Sequence, residues 1–231
     1  MDERLRIVLA RLLRDGGVNL EELAGEVKLS PERVVQLLES FPVRVEGERV
    51  VVESKSDLLL EAWRRGVDPV EMALKAGWRD FERVCGGVFE KCGYRTLLNV
   101  RVRFQGKQFE LDVVAMRKPW VLAADCKRWS RLRSSSLRSS AATQKERCRA
   151  LASALNQSLR AEVKGWAEAR VVPLVVNLHE GQVKVYEGVP VVPLSKLVPF
   201  LNEFELYADE LFVIPVKLAG ALAGGLHDYC G

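Results

Sequence analysis

The 231-residue chain reads as α/β in three parts: a small α+β module over 1–55, a helical connector over 56–77, and a larger α/β domain over 78–231. The larger domain is expected to run as a helix, three strands, a helix and further strands. Three observations predict this. Apolar residues recur at helical spacing near the N-terminus and again after Trp78. Val- and Leu-rich runs cluster between residues 97 and 127 and between 171 and 194. A long polar and helical stretch separates those two groups of strands. With 48% hydrophobic and 29% charged residues, the chain can bury a real core. It shows no signal peptide and no apolar run long enough to span a bilayer, so the expectation is a cytoplasmic protein with no membrane partner.

In the first part, Leu5, Val8, Leu9, Leu12 and Leu13 share one helical face, and Gly16-Gly17 ends that helix. Leu20 to Val27 makes a second helix. Ser30-Pro31-Glu32 starts a third, with a capping hydroxyl followed by proline at the first position. Val43 to Val45 and Arg49 to Val52 then flank Glu46-Gly47 as a hairpin. Three helices and a hairpin resemble the winged-helix family. Winged helices often reach DNA through the third helix, but here that helix carries Glu32 and Glu39 on a net acidic segment, which phosphate would avoid. The module is expected either to touch DNA or to serve protein interaction or dimerisation. The connector reads as two helices, Ser56 to Arg65 and Asp68 to Ala76.

The second domain opens with a helix whose buried face holds Phe81, Val84, Cys85, Val88, Phe89 and Cys92. At about 100° per residue, Glu82 falls at the edge of that face and Glu90 opposite its centre. Glu82 is thus aimed toward a sheet, and Glu90 toward solvent. Cys92-Gly93-Tyr94 ends the helix, Leu97 to Phe104 is a strand, and Gln105-Gly106-Lys107 turns the chain. Two adjacent antiparallel strands follow, Gln108 to Ala115 and Trp120 to Lys127. Alternation puts Glu110 and Asp112 on one face, and Asp125 and Lys127 on one face of the next strand. Carboxylates set in apolar strands are unfavourable unless paired or bound to a cation, so Asp112, Asp125 and Lys127 together point to a divalent-metal site.

Charge is concentrated in the same region. Residues 78–150 carry 17 basic and 7 acidic groups, whereas the whole chain is only +4. Between residues 127 and 149 stand eight basic side chains and a single acid, interrupted by Ser134 to Ser136 and by Ser139-Ser140. This reads as a flexible basic loop leading into a helix from Ala141 to about Lys164, and the excess favours a polyanionic partner. Trp129 beside Arg128 is suited either to stack on a base or to pack. Further strands are expected at Val171 to Leu178, Val183 to Tyr186 and Val189 to Leu194, followed by a helix from Ser195 to Phe204 and a small terminal helix. The five cysteines form no CxxC or Cys/His cluster, so no structural zinc is expected. His179 and His227 read as structural.

On Phe81-Glu82, Gly93-Tyr94, Glu110-Leu-Asp112 and Asp125-Cys126-Lys127, the second domain resembles the PD-(D/E)xK nuclease superfamily. Within it, the likeness is to archaeal Holliday-junction resolvases and Mrr-like restriction endonucleases. The resemblance implies a restriction-endonuclease-like core and a Mg²⁺- or Mn²⁺-dependent endonuclease acting on DNA in repair, recombination or restriction. It further implies metal ligation by Asp112, Asp125, the Cys126 carbonyl and Glu82, with Lys127 orienting or activating the attacking water. Arg128, Arg131, Arg133, Arg138, Lys145 and Arg147 would bind the nucleic-acid backbone, and relatives suggest a homodimer. Leu111 stands where the superfamily's name has Pro, and Asp125 where Glu is commoner; the shorter ligand bears on metal preference. Gln144 corresponds to a polar residue that some relatives carry on the next helix. The alternative readings are a non-catalytic DNA-binding or scaffold protein with this fold, and an RNA-processing nuclease.

Overall fold

The structure is a computed structural model describing residues 3–67, 78–129, 133–178 and 182–219, with the backbone alone at Ser56 and over 78–80. The helix expected over Asp68 to Ala76, the turn at Gly181, Arg131, His179, His227 and the terminal helix after Ala219 lie outside the described residues.

The N-terminal part contains the three helices and hairpin read from the sequence. They are α1 (Glu3–Asp15), α2 (Leu20–Val27), α3 (Pro31–Leu38), β2 (Val43–Glu46) and β3 (Arg49–Val52). Asn19 and Ser30 cap α2 and α3 by accepting from first-turn backbone N–H groups. A short strand, β1 (Gly17–Asn19), was not read from the sequence; it pairs with β3 to give the sheet order β1-β3-β2. The next helix, α4 (Lys55–Arg64), buries Leu58, Leu59, Leu60 and Ala62 and packs on α5 (Trp78–Lys91). The termination of α5 joins it to the main sheet. Gly93 takes φ +81°, its N–H donates to Glu90 O and the Tyr94 N–H to Phe89 O, and the Phe89 and Tyr94 rings meet edge to face at 5.9 Å.

The main sheet contains β4 (Arg95–Phe104), β5 (Lys107–Arg117), β6 (Trp120–Lys127), β7 (Glu168–Asn177), β8 (Lys184–Tyr186) and β9 (Val189–Pro193), in the order β4-β5-β6-β7-β9-β8. β10 (Ile214–Lys217), not read from the sequence, pairs antiparallel with the first half of β7. β4, β5 and β6 are antiparallel to one another, and β6, β7 and β9 run parallel. The connection between β6 and β7 is the long helix α6 (Ser134–Ala154). Trp120, Leu122, Ala124 and Cys126 of β6 face the core shared with α5 and α7 (Leu197–Glu203), while Val121 and Ala123 face the core under α6. The sheet is therefore mixed and covered by helices on both faces, as in the restriction-endonuclease-like core that the resemblance implies.

One sequence expectation is corrected here. The serine-rich stretch before Ala141 is not a loop but the first two turns of α6, which also ends ten residues earlier than expected, at Ala154. The reason is burial. Leu137, Ala141, Gln144, Cys148 and Leu151 form a continuous buried stripe at helical spacing, and serine's helix propensity is only a few tenths of a kcal/mol below that of better formers.

The turns Gln105-Gly106 and Glu187-Gly188 each place two successive residues at positive φ between paired strands, which is type I′ geometry. Their surroundings differ. A Cβ on Gly106 would meet nothing within 4 Å, whereas one on Gly188 would lie 2.7 Å from the backbone N of Phe212, whose N–H donates to Gly188 O. We expect Gly106→Ala to destabilise by about 1 kcal/mol and Gly188→Ala by about 2–4 kcal/mol, read from denaturant melts. Equal costs at the two turns would contradict this account of the β8–β9 corner.

Candidate active site

The site forms where two strands part. Pairing of β5 with β6 runs from Arg117↔Trp120 to Val113↔Ala124 and stops there, while β6 continues along β7 to Lys127↔Asn177. On the other side of β5 the ladder with β4 is interrupted at one rung, between Leu98↔Val113 and Val100↔Leu111. Asn99 at that rung is left-handed, at φ +52°. The face alternation slips there in β5: Leu111 packs in the core under α6, yet Val113 packs in the opposite one. Asp112 lies at the slip. Its carboxylate replaces the missing ladder partner, with Oδ2 accepting from the Cys126 N–H at 2.8 Å. The N–H and C=O of one strand residue point the same way, so the Cys126 carbonyl also faces the gap that β5 leaves.

Asp125, 3% exposed, projects from β6 toward α6. Oδ1 accepts from Arg147 Nη1 at 2.6 Å; Oδ2 meets Lys127 Nζ at 2.9 Å and accepts from Ser140 Oγ at 3.4 Å. Gln144, 1% exposed, anchors this part of α6 by donating to the carbonyls of Ala123, at 2.6 Å, and Leu174, at 3.3 Å. Its Oε1 accepts from the same Arg147 nitrogen at 3.3 Å, so β6, β7 and Arg147 are held through one amide.

Glu82, 7% exposed on α5, approaches from the other face of the sheet, close enough for its charge to act on Asp112. Burial pushes the Asp112 carboxyl up to about 6; the Cys126 N–H pulls it down, Asp125 and Glu82 push it up, and Arg147 pulls it down. No group of three or more His, Cys, Asp or Glu side chains among the described residues stands close enough to hold a metal ion. Asp112 and the Cys126 carbonyl face the gap between the strands, and the Asp125 and Glu82 charges both act on Asp112. The donors are all oxygen, the set that suits Mg²⁺ or Mn²⁺, and a half-buried carboxylate that feels two others is where a divalent ion would relieve repulsion.

The basic residues separate into groups. Arg147 is engaged with Asp125 inside the site. Lys145 pairs with Glu187 at 3.2 Å and lies 5.3 Å from the centre of the Phe212 ring, which ties it into the fold. Arg138 is exposed and donates to Tyr186 Oη at 3.1 Å; Arg133 is exposed at the start of α6; Arg128 is half-buried. Glu110 is exposed and pairs with Arg101 at 3.4 Å, and Glu90 is exposed, as expected.

Two contributors escaped the sequence reading. Ser140 was assigned to a loop, although the Leu137–Ala141–Gln144–Cys148 spacing would have placed it on a helix. Asn177, 3% exposed at the end of β7, accepts from the Trp129 N–H at 2.9 Å and donates to the Trp129 carbonyl at 3.2 Å. It thereby fixes the backbone just beyond Lys127, and no local sequence signal indicates such a contact.

Residues 73–166 match the Mrr catalytic-domain family, described as restriction endonuclease. Glu82, Asp112, Asp125, Lys127 and Arg147 all fall within that span, as do β4 to β6 and α6; β7 to β10 lie beyond it, and the mixed sheet flanked by helices is consistent with a restriction-endonuclease-like core. An uncharacterized protein of Archaeoglobus fulgidus is 27% identical over 135 residues, which are 58% of this chain and 95% of that protein. Among solved structures, the crystal structure of protein VC1899 from Vibrio cholerae is similar at 13% identity and a TM-score of 0.35. That match covers 90% of this chain and 56% of the other, so the chain spans little more than half of that protein's length.

The raised Asp112 pKa has a sign that can be tested. Between its ordinary value, 3.8, and about 6, the folded state holds a proton that the unfolded chain has lost, so this group's contribution to stability falls as pH rises through that window. Above pH 6 the ionised carboxylate is a constant penalty, about 1–2 kcal/mol after discounting for its partial solvation. In EDTA at pH 7.5, Asp112→Asn should therefore melt about 2–6 °C higher than the unmodified protein, with the difference vanishing near pH 4. A lower Tm for the variant at pH 7.5 would contradict this electrostatic reading.

Proposed function

We propose, from the premise that residues 73–166 are a restriction-endonuclease-like domain of the PD-(D/E)xK, Mrr-like kind, that the protein is a divalent-metal-dependent endonuclease hydrolysing DNA phosphodiester bonds. The observation that carries the proposal is the juxtaposition, at one strand splay, of Asp112, Asp125 and Lys127, with Arg147 against Asp125 and the Glu82 charge acting on Asp112. Bound Mg²⁺ or Mn²⁺ would neutralise charge at the scissile phosphate and make a coordinated water more acidic. In this reading Asp112, Asp125 and the Cys126 carbonyl are the metal-holding groups, and Glu82 adds negative charge from the opposite side. Lys127 orients the attacking water and stabilises the charge that builds on the phosphoryl oxygens. Arg147 holds Asp125 in place and, once a metal competes for that carboxylate, is free to turn toward phosphate. Arg128, Arg131, Arg133 and Arg138 would follow the backbone of the substrate, an interaction that weakens with salt.

We further propose the division into a winged-helix-like module over 1–55, a connector over 56–77 and the nuclease domain over 78–231. The exposed Glu32 and Glu39 around α3 favour a protein partner for the module over DNA, and a homodimer is proposed by analogy. No helix among the described residues is long and apolar enough to cross a membrane.

The test offers the purified protein labelled linear duplex, single-stranded and four-way-junction DNA with matched RNA, in Mg²⁺ or Mn²⁺. We expect DNA to be cut, and cutting to fall by at least about 100-fold in EDTA, in Asp112→Asn and in Lys127→Ala. Cleavage of RNA alone would overturn the DNA assignment. Tight binding without cleavage in either metal would favour the scaffold reading.

A further inference from the structure

A pocket of about 450 Å³ shares its wall with Asp125, Lys127 and Arg147. Its far side is a row of hydroxyls: Ser135, Ser136, Ser139, Ser140 and Thr143 of α6. Their spacing of one, three, one and three residues keeps all five on one face of the helix. Trp129 completes the lining. This ring is half-buried, with Leu137, Ala141, Val175, Val189 and Val191 forming the cluster it packs on. Its backbone is held at both the N–H and the carbonyl by the buried side chain of Asn177. The ring is therefore fixed before any ligand arrives.

We infer that this pocket takes one unstacked nucleotide adjacent to the scissile phosphate, with the sugar and phosphate oxygens on the hydroxyl row and the base against Trp129. The inference rests on the proposed nuclease reading and adds the form of substrate that reading requires. Five hydroxyls with Lys127 and Arg147 match a ligand that is both anionic and oxygen-rich. The pocket is open to solvent on one side, its volume lies within the range that receives a small ligand, and a prepositioned indole accepts any base through its π face. The carboxylate and ammonium on the shared wall place the occupant beside the reacting bond. A nucleotide in this pocket cannot remain stacked in a duplex, so single-stranded, frayed or branched DNA would be engaged in preference to continuous duplex.

The test uses the full chain in EDTA, with two labelled probes of four nucleotides: oligothymidylate, and the same strand with every base removed. Binding to the unmodified protein should favour the base-bearing strand by roughly 10-fold. Trp129→Leu should erase that preference by weakening the base-bearing strand alone, and Trp129→Phe should retain most of it. Oligothymidylate should also quench the tryptophan fluorescence of the unmodified protein more than that of Trp129→Phe, which decides the matter if Trp129→Leu fails to fold. Equal weakening of both strands by Trp129→Leu, or equal quenching in the two proteins, would overturn the subsite. A base preference in a protein that cuts nothing in Mn²⁺ would keep the subsite and sink the nuclease reading. Cutting in Mn²⁺ without a base preference would do the reverse.

Discussion

The hydrogen bond from the Cys126 N–H to the Asp112 carboxylate is the contact on which the rest of the site depends. Two strands that pair as far as Val113 and Ala124 would ordinarily continue and seal their backbone groups into a ladder. Here β5 slips its face alternation at Asp112, and the carboxylate takes the donor that a β5 carbonyl would have taken. The substitution satisfies the buried N–H, which keeps the splay from being an unpaired defect. It also leaves a negative group held by backbone geometry in a gap where the Cys126 carbonyl points the same way.

The surrounding charges are arranged around that gap from three elements. Asp125 lies on the α6 face of the sheet and is neutralised by Lys127 and Arg147, whereas Asp112 lies at the slip and is held by the Cys126 N–H. Partial burial, with the charges of Asp125 and Glu82 beside it, raises the Asp112 pKa to about 6. Gln144 makes the arrangement rigid, since its amide bonds β6, β7 and Arg147 together. A catalytic site often carries an unfavourable charge of this kind, which a ligand then relieves.

Much of this was legible in the chain because the relevant signals are local. The buried stripe of α5 placed Glu82 at its edge, and the structure finds that carboxylate buried. Alternation along β6 placed Asp125 and Lys127 on one face, and they form an ion pair. What escaped was either masked or non-local. The serines before Ala141 hid the start of α6, although Leu137 and Ala141 already carried its period. The slip at Asp112 leaves no trace in an otherwise regular strand pattern; Glu110, two residues before it, is exposed beside Arg101. Arg147 read as part of a basic surface because only the fold brings it 22 residues back to Asp125. Asn177 and β10 depend on the same long-range folding.

The most direct measurement of the central claim is calorimetric titration of Mn²⁺ into the intact protein at pH 7.5, in two buffers of different ionisation enthalpy. If the splay between β5 and β6 is a cation site, Mn²⁺ binds at one site per chain, proton release is small at pH 7.5 and grows at pH 6, where Asp112 is partly protonated, and binding is lost in both Asp112→Asn and Asp125→Asn. Binding that survives both substitutions, or no binding by the unmodified protein, would contradict the account.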